Sequence, residues 1–323
     1  MSTPSLNQGS AFTASRLTPT TFLVKEYNDI YDEKPHIYVK IVKEEKVIMI
    51  IDTGCGGAMK GPALSHDGSE GAGGTVTSLR TFIETVPVDD NGGHPLNIRG
   101  ENSYLVVLTH CHYDHILAVE DFPSSPILVS GHDPAFLSPS ALPEHTLCKR
   151  LNLSVPKYTP TMVPHLYEIF GMNRDRSGGK ARVSVLHTPG HTPDELALYD
   201  WVDGMLYVGD SLYEEEPVIF PKEGSIVTWF SSMQFLIQFT KERNAERQRS
   251  GLGQTLVNAG HCTALKPALE VIESAVSFIR DVVDGKEKVR RKSQVAGLLV
   301  VEYKQDSGRF SLRCPMVLID EAN

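Results

Sequence analysis

Strand-like and helix-like segments alternate twice along the sequence, and that alternation predicts an α/β fold: an αββα sandwich, two mixed β-sheets packed face to face with helices outside. Two other observations agree. Short apolar runs stop repeatedly at a ligand-type side chain beside a glycine, where a buried strand lets backbone come close. A chain of 323 residues at 41% hydrophobic also has the apolar material for a substantial core, as one large domain or two fused halves.

In the first half, strand-like segments fall at Thr21–Glu26, His36–Val42 and Lys46–Ile51. The stretch 61–75 carries many Gly and Ser residues and reads as a loop, followed by a helix over Ser78–Val86. Strands at Tyr104–Leu108 and Pro126–Ser130 come next, with a short helix opening near Asp133. In the second half, strands fall at Val183–Leu186, Leu196–Asp200, Leu206–Gly209 and Thr255–Ala259, and helices at Ile226–Arg249 and Pro267–Asp284. A hairpin closes the chain: Gly297–Lys304, a turn at Gln305–Gly308, then Arg309–Cys314. No internal repeat is readable.

Residues 1–18 are rich in Ser and Thr without an apolar core, so the expectation is a mobile tail, neither signal peptide nor membrane anchor. Residues 19–323 then form the folded domain. Within it, 142–180 fits neither a long strand nor a clean helix, because Pro156, Pro160 and Pro164 interrupt its apolar residues. Its position predicts an insertion that caps an apolar substrate pocket, joined by Phe220, Trp229 and Phe230.

Charge and cysteine content exclude several classes. A net charge of −9 argues against nucleic acid, whose phosphates call for clustered Lys and Arg. The one basic run, Lys286–Lys292, follows a helix and reads as its solvated end. Five cysteines without a Cys-x-x-Cys pair suggest reduced thiols and a cytoplasmic location. No stretch approaches the length that spans a bilayer. Oligomeric state is not written in the sequence, and a homodimer is among the open alternatives.

The chemistry is concentrated in His110-Cys111-His112-Tyr113-Asp114-His115, directly after the apolar run Tyr104–Leu108. Any single histidine there would read as a solvated loop residue. Imidazoles and a carboxylate packed together at a strand end are what a pair of borderline metal ions needs. In extended backbone His110 and His112 point to one side and can share an ion, while Asp114 and His115 follow as the chain turns and can face a neighbouring ion. Downstream, His191 closes a turn-rich segment after Val183–Leu186, Asp210 ends Met205–Gly209, and His261 ends Thr255–Gly260. Each alone would pass for a loop residue; their recurrence in one chain would not.

The order His-x-His-x-Asp-His, then His, Asp and His at strand ends, resembles the metallo-β-lactamase superfamily of binuclear metal hydrolases. Ile50-Ile51-Asp52-Thr53-Gly54 resembles that family's early strand and Asp-Thr-Gly turn. The resemblance implies that His110, His112 and His191 hold one metal, that Asp114, His115 and His261 hold the other, and that Asp210 bridges them. The implied cofactors are two divalent ions, zinc first, with iron or manganese as alternatives. Asp52 is implied to support the site rather than to ligate. The sequence departs from the family after His115, where Ile-Leu-Ala-Val replaces the glycines often found there, and Cys262 puts a soft ligand beside His261.

Two such ions make hydroxide available at neutral pH, and that bridging hydroxide is the expected nucleophile. Asp114 has a second expected role, moving the proton from the attacking water to the leaving group. Tyr213, three residues after Asp210, resembles the tyrosine that acyl-homoserine lactonase-like members place beside the substrate carbonyl. The motif pattern is nearest to those members, and the phenol would donate to the developing oxyanion. The implied function is opening of a small, largely apolar cyclic ester or amide, a lactonase or lactamase type of hydrolase. A glyoxalase II-like thioesterase is the alternative, weakened because Pro267–Asp284 is acidic where such enzymes carry a basic glutathione site. A redox or non-enzymatic member fits less well, since di-iron redox relatives usually replace the histidine at the place of His112 by a carboxylate. Gly209-Asp210-Ser211-Leu212 spells a serine-esterase block and Asp52-Thr53-Gly54 an aspartic-protease loop, but the partners that either chemistry needs are missing.

Overall fold

The computed structural model describes residues 9–60, 76–170 and 183–323, in two compact units. The predicted class holds: two mixed β-sheets flanked by helices. The loop expected over 61–75, and the parts of the tail and of the 142–180 insertion at 1–8 and 171–180, lie outside the described residues.

The first unit comprises Met1–Val129 and Ser138–Met162. Its strands are β1 (Phe12–Arg16), β2 (Thr21–Glu26), β3 (His36–Val42), β4 (Val47–Ile51), β5 (Ser103–Val107), β6 (Ile127–Ser130) and β7 (Pro160–Val163), and they form one sheet in that order. β1 to β4 run antiparallel to their neighbours, whereas β4, β5 and β6 run parallel. The core residues Ile48, Ile50, Val106 and Val107 are fully buried, which is why these runs read as continuously apolar. Helix α1 (Leu79–Thr85) starts at Ser78, whose hydroxyl accepts the Thr81 N–H, and buries Leu79, Phe82 and Ile83. Short turns α2 (Tyr113–Ile116) and α3 (Leu142–His145) complete the unit.

Two expectations are corrected here. The tail expected to run to residue 18 holds strand β1, which pairs with β2 along its length and buries Phe12. Arg16 fixes its end by donating to the Asp90 carboxylate and carbonyl. The helix expected near Asp133 is a turn: Asp133 Oδ1 accepts from the N–H groups of Ala135 and Phe136, drawing the backbone away from helical bonding.

The second unit comprises Ser130–Leu137 and Val163–Asn323. Strands β8 (Glu168–Ile169), β9 (Val183–His187), β10 (Leu196–Asp200), β11 (Met205–Tyr207), β13 (Leu256–Asn258) and β14 (Lys266–Pro267) form a sheet in the order β14-β13-β11-β10-β9-β8. β12 (Pro217–Ile219) belongs elsewhere: it pairs in parallel with β17 (Ser311–Pro315), which joins the closing hairpin of β15 (Val289–Val295) and β16 (Leu298–Lys304). The expected hairpin is therefore part of a four-stranded sheet.

Helices α4 (Ile226–Arg249) and α5 (Ala268–Val283) cover the core at the predicted places, followed by α6 (Met316–Ala322). α4 buries Ile226, Trp229, Met233 and Leu236, a stripe at helical spacing. Phe220 and Trp229, expected to join a substrate cap, lie inside this core instead, with the Trp229 indole N–H donating to the Ser211 carbonyl. Phe230 packs on the same core under the Arg280 guanidinium. The basic run is only in part a helix end: Lys286 pairs with Asp281 and Asp284 behind α5, but the rest enters the exposed edge strand β15. No helix among the described residues is long and apolar enough to cross a membrane.

Candidate metal centre

In the first unit the ligand block sits at the carboxyl ends of the parallel strands β4 and β5. Asp52 follows β4 in a left-handed backbone conformation (φ 60°) that Asp tolerates better than most residues. Its Oδ1 accepts the Thr109 N–H at 2.7 Å, and its Oδ2 lies 2.8 Å from the Thr109 hydroxyl and 2.9 Å from Nδ1 of His115. Thr53 holds the His115 carbonyl with both its N–H and its hydroxyl, fixing the turn from the other side.

These bonds set the tautomers. The Thr109 hydroxyl proton goes to Asp52, so Nδ1 of His110, 3.1 Å from that oxygen, must be the donor, and its Nε2 keeps a lone pair. That Nε2 lies 3.0 Å from Nδ1 of His112. His115 likewise gives its Nδ1–H to Asp52, leaving Nε2 as the donor atom, 3.5 Å from Asp114 Oδ2. A carboxylate behind an imidazole in this way orients the ring and raises its basicity as a ligand.

In the second unit β9, β11 and β13 point the same way, because β10 runs antiparallel to both β9 and β11 while β11 and β13 are parallel. Their ends therefore deliver His191, Asp210 and His261 at one edge. Asp210 Oδ2 lies 3.5 Å from His261 Nε2 and 4.0 Å from His191 Nε2. The Gly260 N–H donates to the Gly209 carbonyl, tying the ends of β11 and β13 together. Gly190 has φ 154°, and a Cβ there would stand 2.6 Å from the Trp229 Cα. Across from it a Cβ on Gly224 would meet the His191 carbonyl at 2.9 Å, and the Ser225 N–H donates to the Gly190 carbonyl. Two glycines thus let the first turn of α4 clamp the loop that carries His191.

All seven sequence-predicted ligands are gathered into two donor groups. His110, His112 and His191 form one; Asp114, His115, Asp210 and His261 form the other; within each group the ligand atoms lie within 4.8 Å of one another, and every member is buried. The donor set fits the implied ions. Converging imidazole lone pairs and buried carboxylates repel unless a cation or proton lies among them, and nitrogen and oxygen donors of this kind suit zinc, iron or manganese.

Tyr213 is 4% exposed, with its ring 5.3 Å from that of His261. Its hydroxyl donates to the Pro217 carbonyl at 3.0 Å. A residue missed by sequence reasoning is Glu195, fully buried, whose Oε1 accepts the Asp210 N–H at 3.1 Å. Its own backbone bonds Thr188 and Thr192, on either side of His191. The only sequence signal was a carboxylate opening an otherwise apolar strand.

Comparison with known proteins adds the family. Residues 37–271 match the sequence profile of the metallo-β-lactamase superfamily. The chain is 31% identical to the candidate transcription factor avaE of Aspergillus versicolor, over 97% of this chain and 89% of that one. Among solved structures it is similar to the metallo-β-lactamase family protein TTHA1429 of Thermus thermophilus, with a TM-score of 0.54 at 18% identity over 84% of this chain and 82% of that one. It is similar also to a metallo-β-lactamase from Pontibacter korlensis, with a TM-score of 0.50 at 16% identity over 84% of this chain and 99% of that one. At these identities the likeness to the two structures is one of fold.

Proposed function

The chain belongs to the metallo-β-lactamase superfamily, and from that premise we propose that it is a binuclear metal-dependent hydrolase that opens a small cyclic ester or amide, a lactone or lactam. The observation that carries the reading is the pair of buried donor groups, complete in all seven ligands. In the proposal His110, His112 and His191 hold one ion, Asp114, His115 and His261 the other, and Asp210 both. The ions, zinc by preference, would acidify a shared water and polarise the substrate carbonyl.

The chain's own residues do the rest. Asp52 fixes the His115 ring, and Glu195 fixes the Asp210 backbone. Asp114, buried and acceptor-rich when ionised, takes the proton from the attacking water and passes it to the leaving oxygen or nitrogen. Tyr213 steadies the oxyanion once its hydroxyl turns from Pro217 to the substrate. The segment 142–180 serves as the substrate cap; in its described part Leu151, Met162 and Leu166 are exposed apolar side chains. Five cysteines without a Cys-x-x-Cys pair support a cytoplasmic setting.

Two other readings have less support. A glutathione thioesterase wants a basic patch, but Arg280 is spent on the Phe230 ring and α5 carries Glu270, Glu273 and Asp281. Regulation of transcription, the activity in the name of the Aspergillus relative, wants clustered free cations. The net charge is −9, and in the basic run Lys286 and Arg290 already pair with Asp281, Asp284 and Asp306.

The test is metal analysis of the purified chain together with turnover of lactones, lactams and a glutathione thioester, with and without chelator. The expected result is two ions per chain and chelator-sensitive ring opening. A chain that binds no metal, or that cleaves only the thioester, would overturn the proposal.

A further inference from the structure

Beside the loop that carries His191, the second unit forms a half-open cavity of about 260 Å³. One wall is that loop, with Gly190 and Thr192; another is the start of α4, with Glu223, Ser225 and Thr228; a third is His132 and Asp133 after β6. None of the cavity's polar side chains is a candidate metal ligand.

The cavity is rich in acceptors. Thr192 is fully buried and its hydroxyl makes no hydrogen bond to any described residue, which is expensive unless something else provides the partner. The Glu223 side chain is 13% exposed, and its Oε1 is buried without a hydrogen bond, 3.3 Å from Nζ of Lys222, whose side chain is 43% exposed. Asp133 uses Oδ1 to hold its own turn, with no bond to Oδ2 among the described residues. Ser225 accepts from the Thr228 N–H and so keeps its own proton to give. Two carboxylates against one neighbouring cation leave the cavity acidic.

A ligand matching this lining must bring a positive charge and several N–H donors in a small volume. We propose that the cavity is a subsite for a primary ammonium group, held by Asp133, Glu223 and the Thr192 hydroxyl. Resting on the hydrolase reading above, this names the substrate class as an amine-bearing lactone or lactam, with the amine seated beside His191. The apolar ring and the charged substituent are then recognised by separate parts of the chain.

The test is an NMR titration of the metal-loaded full-length protein with n-propylammonium chloride, with n-propanol as the neutral comparison. Saturable binding of the ammonium and none of the alcohol is expected, weakened at least tenfold by Asp133→Asn combined with Glu223→Gln. Thr192→Val, which keeps the side-chain shape, should weaken it severalfold and serves should the double variant fail to fold. Equal binding of propanol, or undiminished ammonium binding by folded variants, would overturn the subsite. In a second arm, the kcat/KM ratio of homoserine lactone to γ-butyrolactone should fall at least tenfold in the double variant. If the wild type binds propylammonium but turns over neither lactone, the subsite stands and the hydrolase reading falls.

Discussion

One carboxylate oxygen of Asp52 lies 2.9 Å from Nδ1 of His115, and the other accepts the backbone N–H of Thr109, the residue before His110. A single side chain at the end of β4 thus orients both ends of the ligand block. Asp52→Asn tolerates the left-handed backbone yet loses the charge behind the imidazole. Metal affinity, measured by competition with a chromophoric chelator, should drop roughly tenfold, and for Asp52→Ala by roughly 10–100-fold. Unchanged affinity in both would remove Asp52 from the support of the site.

Gly190 tests the clamp between the His191 loop and α4. A methyl group there meets the Trp229 backbone at 2.6 Å, which is main chain and cannot swing aside. Gly190→Ala should destabilise the fold by about 2–4 kcal/mol and shift the Trp229 fluorescence. A variant that melts with the wild type would show that α4 is free to move off the loop.

The Tyr213 hydroxyl donates to the Pro217 carbonyl, so it is not already aimed at a substrate. Tyr213→Phe should therefore lower kcat by less than a fully preorganised donor would, roughly tenfold or about 1.4 kcal/mol. KM and metal content should stay the same. A variant at full rate would leave the tyrosine only its contact with the His261 ring.

Glu26 supplies a pH signature. It is buried beneath the turn after Asp52, and its carboxyl accepts from the N–H groups of Cys55 and Gly57. Burial pushes its pKa up to about 7 from 4.5, helped by the charge of Asp29 and opposed by those backbone bonds. The folded chain holds this proton where the unfolded chain has released it, so the contribution to stability is complete below pH 4.5 and is lost as the pH rises to 7. It amounts to about 3 kcal/mol. Urea unfolding of wild type and Glu26→Gln between pH 4.5 and 8 should give lines that diverge by that amount; parallel lines would refute it.

Much of the site was legible because its first four ligands fall within His110–His115, Asp210 and His261 each end an apolar run, and His191 closes a turn-rich segment after one. Glu195 was not, since its function is a bond to a backbone N–H fifteen residues away that no spacing rule announces. Strand β1 was hidden for a related reason. Its sequence is polar enough to pass for a tail, and it is a strand because β2 pairs with it and Asp90 anchors Arg16 across a separation of 74 residues. The turn at Asp133 shows a local competition, with a side-chain oxygen capturing N–H groups that a helix would need.

By itself the sequence determined the class of the fold, the strand ends and the identity of the seven candidate ligands, because apolar periodicity and donor chemistry are properties of the chain. Only the tertiary structure decided which ring nitrogen of His110 and His115 keeps its lone pair, which backbone Glu195 holds, and that Phe220 and Trp229 belong to a core rather than a cap. Those outcomes depend on distances between residues far apart in sequence, fixed when the strands pair and the helices cover them.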